Sequence, residues 1–180
     1  MNVRVLRWAV VALVVVGGLA FVLKGANRPA DPTLEPAAGQ SGTRVHFGDF
    51  GEIAFRVEGS AAQAAALRCA LLADTLAQQE LGLMNRTDLG GYDGMLFRFQ
   101  GDTTASFYMK DTPLPLSIAF FDAGGQLVST ADMAPCLHQA TCQLYGAARP
   151  YRYALEVTQG ALPGLGIAPG TRLVTTGPCQ

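Results

Sequence analysis

Lys110 is the sole lysine after residue 24, and it stands in SFYMKDTPLP at residues 106 to 115, between Tyr108 and Asp111. An amine in that setting can hold an anionic ligand, or act as a base where desolvation lowers its pKa. It can equally lay its stem along apolar surface and pair its ammonium with Asp111 or Glu156. Glu156 lies inside the apolar run YRYALEV at 151 to 157. A carboxylate buried there needs a partner, and Arg86, in GLMNR at 82 to 86, is the candidate, as a structural clasp or as a catalytic couple. In the clasp reading, truncating Glu156 costs about 3 kcal/mol or more because it strands the opposing charge. Asp122 precedes AGG at a turn, where its side chain caps its own backbone or contributes to a site. Arg86, Tyr108, Lys110, Asp122 and Glu156 are thus the candidate ligand-binding residues, and no catalytic residue is assigned.

Four cysteines, Cys69, Cys136, Cys142 and Cys179, form an even set compatible with two disulfides in three connectivities. The expected pairs are Cys136 with Cys142 and Cys69 with Cys179, the second fastening the tail to an early strand. The rival is a metal site of Cys136, His138 and Cys142, but that spacing matches no zinc pattern, so neither a metal nor a cofactor is expected. Met84, Met95, Met109 and Met133 raise a thioether copper site; their scatter among leucines and phenylalanines favours core packing. A Ser or Cys nucleophile needs a base, and the chain has two histidines, His46 and His138. GxSxG, HExxH and phosphate-cradling glycine loops are absent.

The elements that must position these residues are mostly strands. Short apolar or alternating runs at 53–57, 67–72, 95–99, 105–109, 116–122, 126–131, 151–157 and 172–176 are separated by Gly, Asp or Pro. Period two puts Phe107 and Met109 on one face of SFYMK, toward the core, and Ser106, Tyr108 and Lys110 on the other. One short helix is expected over 75–81, with Asp74 as N-cap and Gly82 at its end; residues 61 to 66 read as helix or coil. The fold class is therefore α+β, mostly β: a barrel-like or closed, antiparallel-rich sheet with one short helix.

Four strings, ELGLMNR at 80–86, GMLFRF at 94–99, ASFYMKDTPLPLSIAFFDAGG at 105–125 and YALEVTQG at 153–160, resemble the domain-of-unknown-function 192 family over roughly residues 66 to 176. The resemblance implies a small β-rich domain and no established activity. The chain departs from the family pattern at Ser117, where an Asp is usual, and at Tyr108, where Trp is frequent. Loss of that Asp weakens any mechanism that pairs it with a second acid.

Residues 8 to 23 carry no charge and are flanked by Arg4 and Arg7 before and Lys24 and Arg28 after. In a helix they span about 24 Å, and snorkelling of the flanking cations would close the gap to a hydrocarbon core of roughly 30 Å. An uncleaved membrane helix or signal anchor over 1–24 is expected, with a cleaved signal peptide and a secreted domain as the alternative. A proline-bearing linker at 25–43 then leads to a single β-rich domain at 44–180. The Arg-bearing N-terminus is the natural cytoplasmic end, so the domain is expected outside the cytoplasm, where disulfides persist. From residue 44 onward eight Arg and one Lys face twelve Asp and Glu, 9 minus 12, a net charge of −3. That balance argues against a nucleic-acid partner. The expected partners are the membrane, through residues 8 to 23, and an unknown small molecule or envelope component. The expectation is a binding or interaction module, leaning away from an enzyme. The alternatives are an envelope enzyme acting on a carbohydrate-type or other anionic substrate, and a purely structural envelope protein.

Overall fold

The structure is a computed structural model that describes residues 43–59 and 66–180. The apolar run at 8–23, the linker up to residue 42 and most of the ambiguous 61–66 segment lie outside the described residues. Among the described residues no helix is long and apolar enough to cross a membrane.

Seven strands form one sheet: β1 (Gly51–Glu58), β2 (Arg68–Ala73), β3 (Gly94–Thr103), β4 (Leu116–Phe121), β5 (Leu127–Met133), β6 (Tyr151–Thr158) and β7 (Arg172–Gly177). Their order across the sheet is β5-β4-β6-β3-β2-β1-β7. Neighbours are antiparallel except β2 and β3, which run parallel. A parallel pair cannot be joined by a tight hairpin, so the chain between them crosses over through the helix α1 (Leu76–Leu81).

The sheet curls into a half-barrel whose two edge strands meet at one end. Leu173 N–H donates to Gly125 O at 2.8 Å and Leu127 N–H to Thr171 O at 3.0 Å, closing around a Gln126–Arg172 bridge. Gly125 has φ 80°, and a Cβ there would lie 2.2 Å from Leu173 O, so the junction accepts only glycine.

Both faces of the central strands are covered, which explains why all six residues of β4 are buried and all but Ser117 are apolar. One face packs Ile53, Phe55, Leu96, Phe121 and Leu155 under the turn that carries Leu162, Leu165 and Ile167. The other packs Phe97, Met95, Ile118, Phe120 and Tyr151 beneath irregular chain from 105 to 115 and 134 to 148.

Seven of the eight expected strands form, six of them within two residues of their expected ends; β3 starts one residue before the expected 95 and runs four residues past the expected 99, to Thr103. The run 105–109 does not. It makes one bridge, Phe107 with Tyr145, and the Phe107 ring packs on Phe97, Phe120 and Tyr151. β3, β4 and β6 already have a neighbour on each side, so this apolar segment has no edge to join and covers the sheet face instead. Its side-chain alternation survives: Met109 is buried while Ser106, Tyr108 and Lys110 are exposed.

The helix starts one residue later than expected. Its N-cap is Thr75, whose hydroxyl accepts from Gln78 N–H while Gln78 Oε1 accepts from Thr75 N–H at 3.0 Å, a capping box. Asp74 is instead committed to Arg98, its Oδ2 lying 2.7 Å from Arg98 Nη2. Gly82 ends the helix as expected, with φ 46°.

Candidate functional site

No residue of α1 is buried. Polar tethers hold it in place: Gln78 Nε2 donates to Asp49 O at 2.7 Å and Gln79 Nε2 to Arg98 O at 2.9 Å. A helix tethered by its side-chain amides and with no residue buried leaves space beneath it, and a cavity of about 220 Å3 opens there. Its walls come from four places. Leu76, Glu80, Leu81 and Met84 line the helix side; Phe97 and Phe99 come from β3; Ser106, Phe107, Tyr108 and Met109 come from the covering segment; Leu116 and Glu156 lie on β4 and β6. The walls are mostly apolar, and the polar groups among them are few.

Glu156 lies on central strand β6, between Met95 of β3 and Ile118 of β4 in the sheet register. It is 5 % exposed. Among the described residues no side chain forms an ion pair or hydrogen bond with it. Burial away from water disfavours the charged form, so the carboxyl's pKa is raised to about 8. Near pH 7 it is mainly neutral, an O–H donor as well as an acceptor.

The partner expected for Glu156 is not there. Arg86 instead lies over the Phe47 ring, 4.0 Å from its centroid, as a cation–π contact. Lys110 is exposed and, with Asp111, falls between the lining residues Met109 and Thr112 without lining the cavity. Neither Asp111 nor Glu156 pairs with it among the described residues. Tyr108, 43 % exposed, stands at the rim. Asp122 caps its own turn, Oδ1 accepting from Gly124 N–H at 3.0 Å and Gln126 N–H at 2.9 Å, while Oδ2 lies 3.3 Å from Arg149. Of the five candidates, then, Tyr108 and Glu156 converge on one cavity, and Arg86, Lys110 and Asp122 stand apart from it.

The apolar lining carries no chemical signature in the sequence, so nothing in the pattern marks Phe97, Phe99, Leu76 or Glu80 as lining residues. The one legible signal was the alternation that aimed Phe107 and Met109 inward. Met84 and Met109 line the cavity, whereas Met95 and Met133 are fully buried in the core.

A second cavity, of about 480 Å3, lies beside Ser117 and Asp132. It is larger, yet its polar groups satisfy one another. Ser117 Oγ donates to Asp132 Oδ1 at 2.5 Å and accepts from Gly160 N–H at 2.9 Å, which ties β4 to β5 and to the turn after β6. Ser117 is 1 % exposed, so its oxygen is not presented to a substrate. Neither histidine lines the first cavity. His46 lies 3.9 Å from Glu52, and His138 sits in the loop closed by Cys136 and Cys142.

Both disulfides form as expected, Cys69 with Cys179 and Cys136 with Cys142. The ligand atoms of Glu52, Cys69 and Cys179 lie within 4.8 Å of one another. Both sulfurs there are bonded to each other, and Glu52 accepts from the Tyr92 hydroxyl, whose pKa burial and that carboxylate raise to about 12. The group is a cross-linked corner of the fold and not a set of free ligands.

The model of the DUF192 family, described as an uncharacterized ACR, matches residues 57–175. The chain is similar to the solved structure of a "putative transcription regulator" from Sinorhizobium meliloti 1021, at 28% identity over 70% of this chain and 95% of that one, with TM-score 0.60. It is also similar to a protein of unknown function from Novosphingobium aromaticivorans DSM 12444, at 30% identity over 78% of this chain and 97% of that one, with TM-score 0.60. The comparison with curated proteins finds no match.

Proposed function

We propose that this chain, which belongs to the DUF192 family, is a membrane-tethered extracytoplasmic binding module that takes a small molecule into the cavity beneath α1. One observation carries the reading: a buried carboxyl, without a side-chain partner among the described residues, faces a mostly apolar cavity. A lone buried polar group is costly, and such groups persist where function requires them. A ligand that satisfies the Glu156 carboxyl would offset that cost.

The placement outside the cytoplasm is supported by two disulfides and by the uncharged run at 8–23. A net charge of −3 from residue 44 onward, 9 basic against 12 acidic groups, gives no support to nucleic-acid binding, so the regulator description of the Sinorhizobium protein is not carried over. The envelope-enzyme alternative draws on the same residue, since a carboxyl with its pKa near 8 can serve as a general acid. It lacks a nucleophile and base pair among the lining residues.

The test is a thermal-shift screen of small molecules on the full chain and on Ser106→Trp, which places an indole in the cavity from an exposed position. Compounds that stabilise the parent are expected to lose their effect in the variant. Equal stabilisation of both proteins, or no stabilising compound at all, would remove the cavity as a binding site.

A further inference from the structure

Among the described residues, the lining groups with formal charge are Glu80 on α1 and Glu156 on β6, and no Lys, Arg or His lines the cavity. The rest of the wall is mostly apolar and includes four aromatic rings, those of Phe97, Phe99, Phe107 and Tyr108. From the unpartnered, buried Glu156 and this acid-only aromatic lining, we propose that the cavity binds an organic cation, an ammonium group carried on an apolar body. The proposal rests on the binding-module reading above and specifies the ligand class for that same cavity.

The chemistry is complementary at each point. The ammonium donates to the Glu156 carboxylate and supplies the positive charge the protein does not. Aromatic rings stabilise a desolvated cation through their quadrupoles, and a cavity with several rings is suited to it. The apolar body displaces water from the phenylalanine walls. An anionic ligand would meet two carboxyl groups and no cation. Lys110, the feature that suggested anion capture, does not line this space.

Binding also moves a proton. In the empty cavity the Glu156 carboxyl is mainly protonated near neutral pH, because burial raises its pKa to about 8. The bound cation stabilises the carboxylate, so one proton leaves Glu156 for solvent as the ammonium enters. The elements packed around Glu156 contribute no competing cation: its cross-strand neighbours are Met95 and Ile118, α1 contributes Glu80, and the covering segment contributes Tyr108. Affinity for the cation therefore rises about tenfold per pH unit below pH 8 and levels off above it.

Three probes on one skeleton test this by calorimetry with the full chain: phenethylamine, 2-phenylethanol and phenylacetate. The expected order is phenethylamine tightest, with affinity climbing about tenfold from pH 6 to pH 7 and a proton released on binding. Glu156→Gln, which keeps the shape and removes the charge, is expected to weaken phenethylamine by at least about tenfold and to abolish its pH dependence. If 2-phenylethanol binds as tightly as the amine, or phenylacetate binds best, the cation proposal is overturned while the cavity remains a binding site. If the amine binds equally to parent and Glu156→Gln, it is not bound at this carboxyl and the proposal fails. If none of the three probes binds, the proposal and the binding-module reading fall together.

Discussion

Glu156 sets a pH dependence for the fold as well as for the cavity. Its carboxyl has an ordinary value of 4.5 and is raised to about 8 in the native protein. Between those values the native state holds a proton that the unfolded chain has released, so stability falls as pH rises from about 4.5 to 8 and is flat above. The slope from this one group is at most about 1.4 kcal/mol per pH unit. Chemical denaturation of the parent across that range is expected to show the decline, and Glu156→Gln is expected to flatten it and to be the more stable protein at pH 8. Identical slopes in the two proteins would contradict the burial. This reverses the sequence-based expectation of a clasp with Arg86, in which loss of the carboxyl destabilises. An isolated acid in an apolar strand announces burial, but whether a partner reaches it depends on loops far away in the chain, and here Arg86 found the face of Phe47. Asp122 was readable because its partners, Gly124 and Gln126, are its own neighbours.

At the scale of elements, two glycines explain parts of the motif strings. Gly94 begins β3, and a Cβ there would lie 2.4 Å from the backbone oxygen of Glu156. Gly94→Ala is expected to push β6 away and cost about 3 kcal/mol, read from the shift in denaturation midpoint at unchanged slope. Gly125→Ala is expected to cost a similar amount by parting the two sheet edges. α1 depends on its capping box more than on burial, so Thr75→Ala is expected to remove about 1 kcal/mol and to speed amide exchange within α1 before the sheet opens. The strands were legible because their apolar runs and breakers are local. The segment 105–109 has the local pattern of a strand, and only the sheet order shows that β3, β4 and β6, the strands it covers, are each already paired on both sides. The cavity was illegible because the gap beneath α1 follows from tethers such as Gln79 to Arg98 O, which no periodicity records.

For the whole molecule, the two disulfides do unequal work. Cys69–Cys179 spans 110 residues in sequence and Cys136–Cys142 spans 6. On the chain-entropy account the long closure contributes about 5 kcal/mol and the short one about 2. Replacing the first pair by serine is expected to lower the melting temperature more than replacing the second, and the opposite ranking would show that the tail is not what the long bridge secures. A reporter fused after Gln180 that is active only outside the cytoplasm is expected to be active. Activity from a cytoplasm-only reporter would remove the extracytoplasmic placement.

Carbon-13 NMR of the Glu156 carboxyl against pH measures directly whether that group faces the cavity neutral and unpaired. The predicted midpoint in the free protein is about 8, moving down once phenethylamine is bound. A midpoint in the ordinary carboxylate range, unchanged by the amine, would mean that the group is already paired or solvated, and would contradict the account.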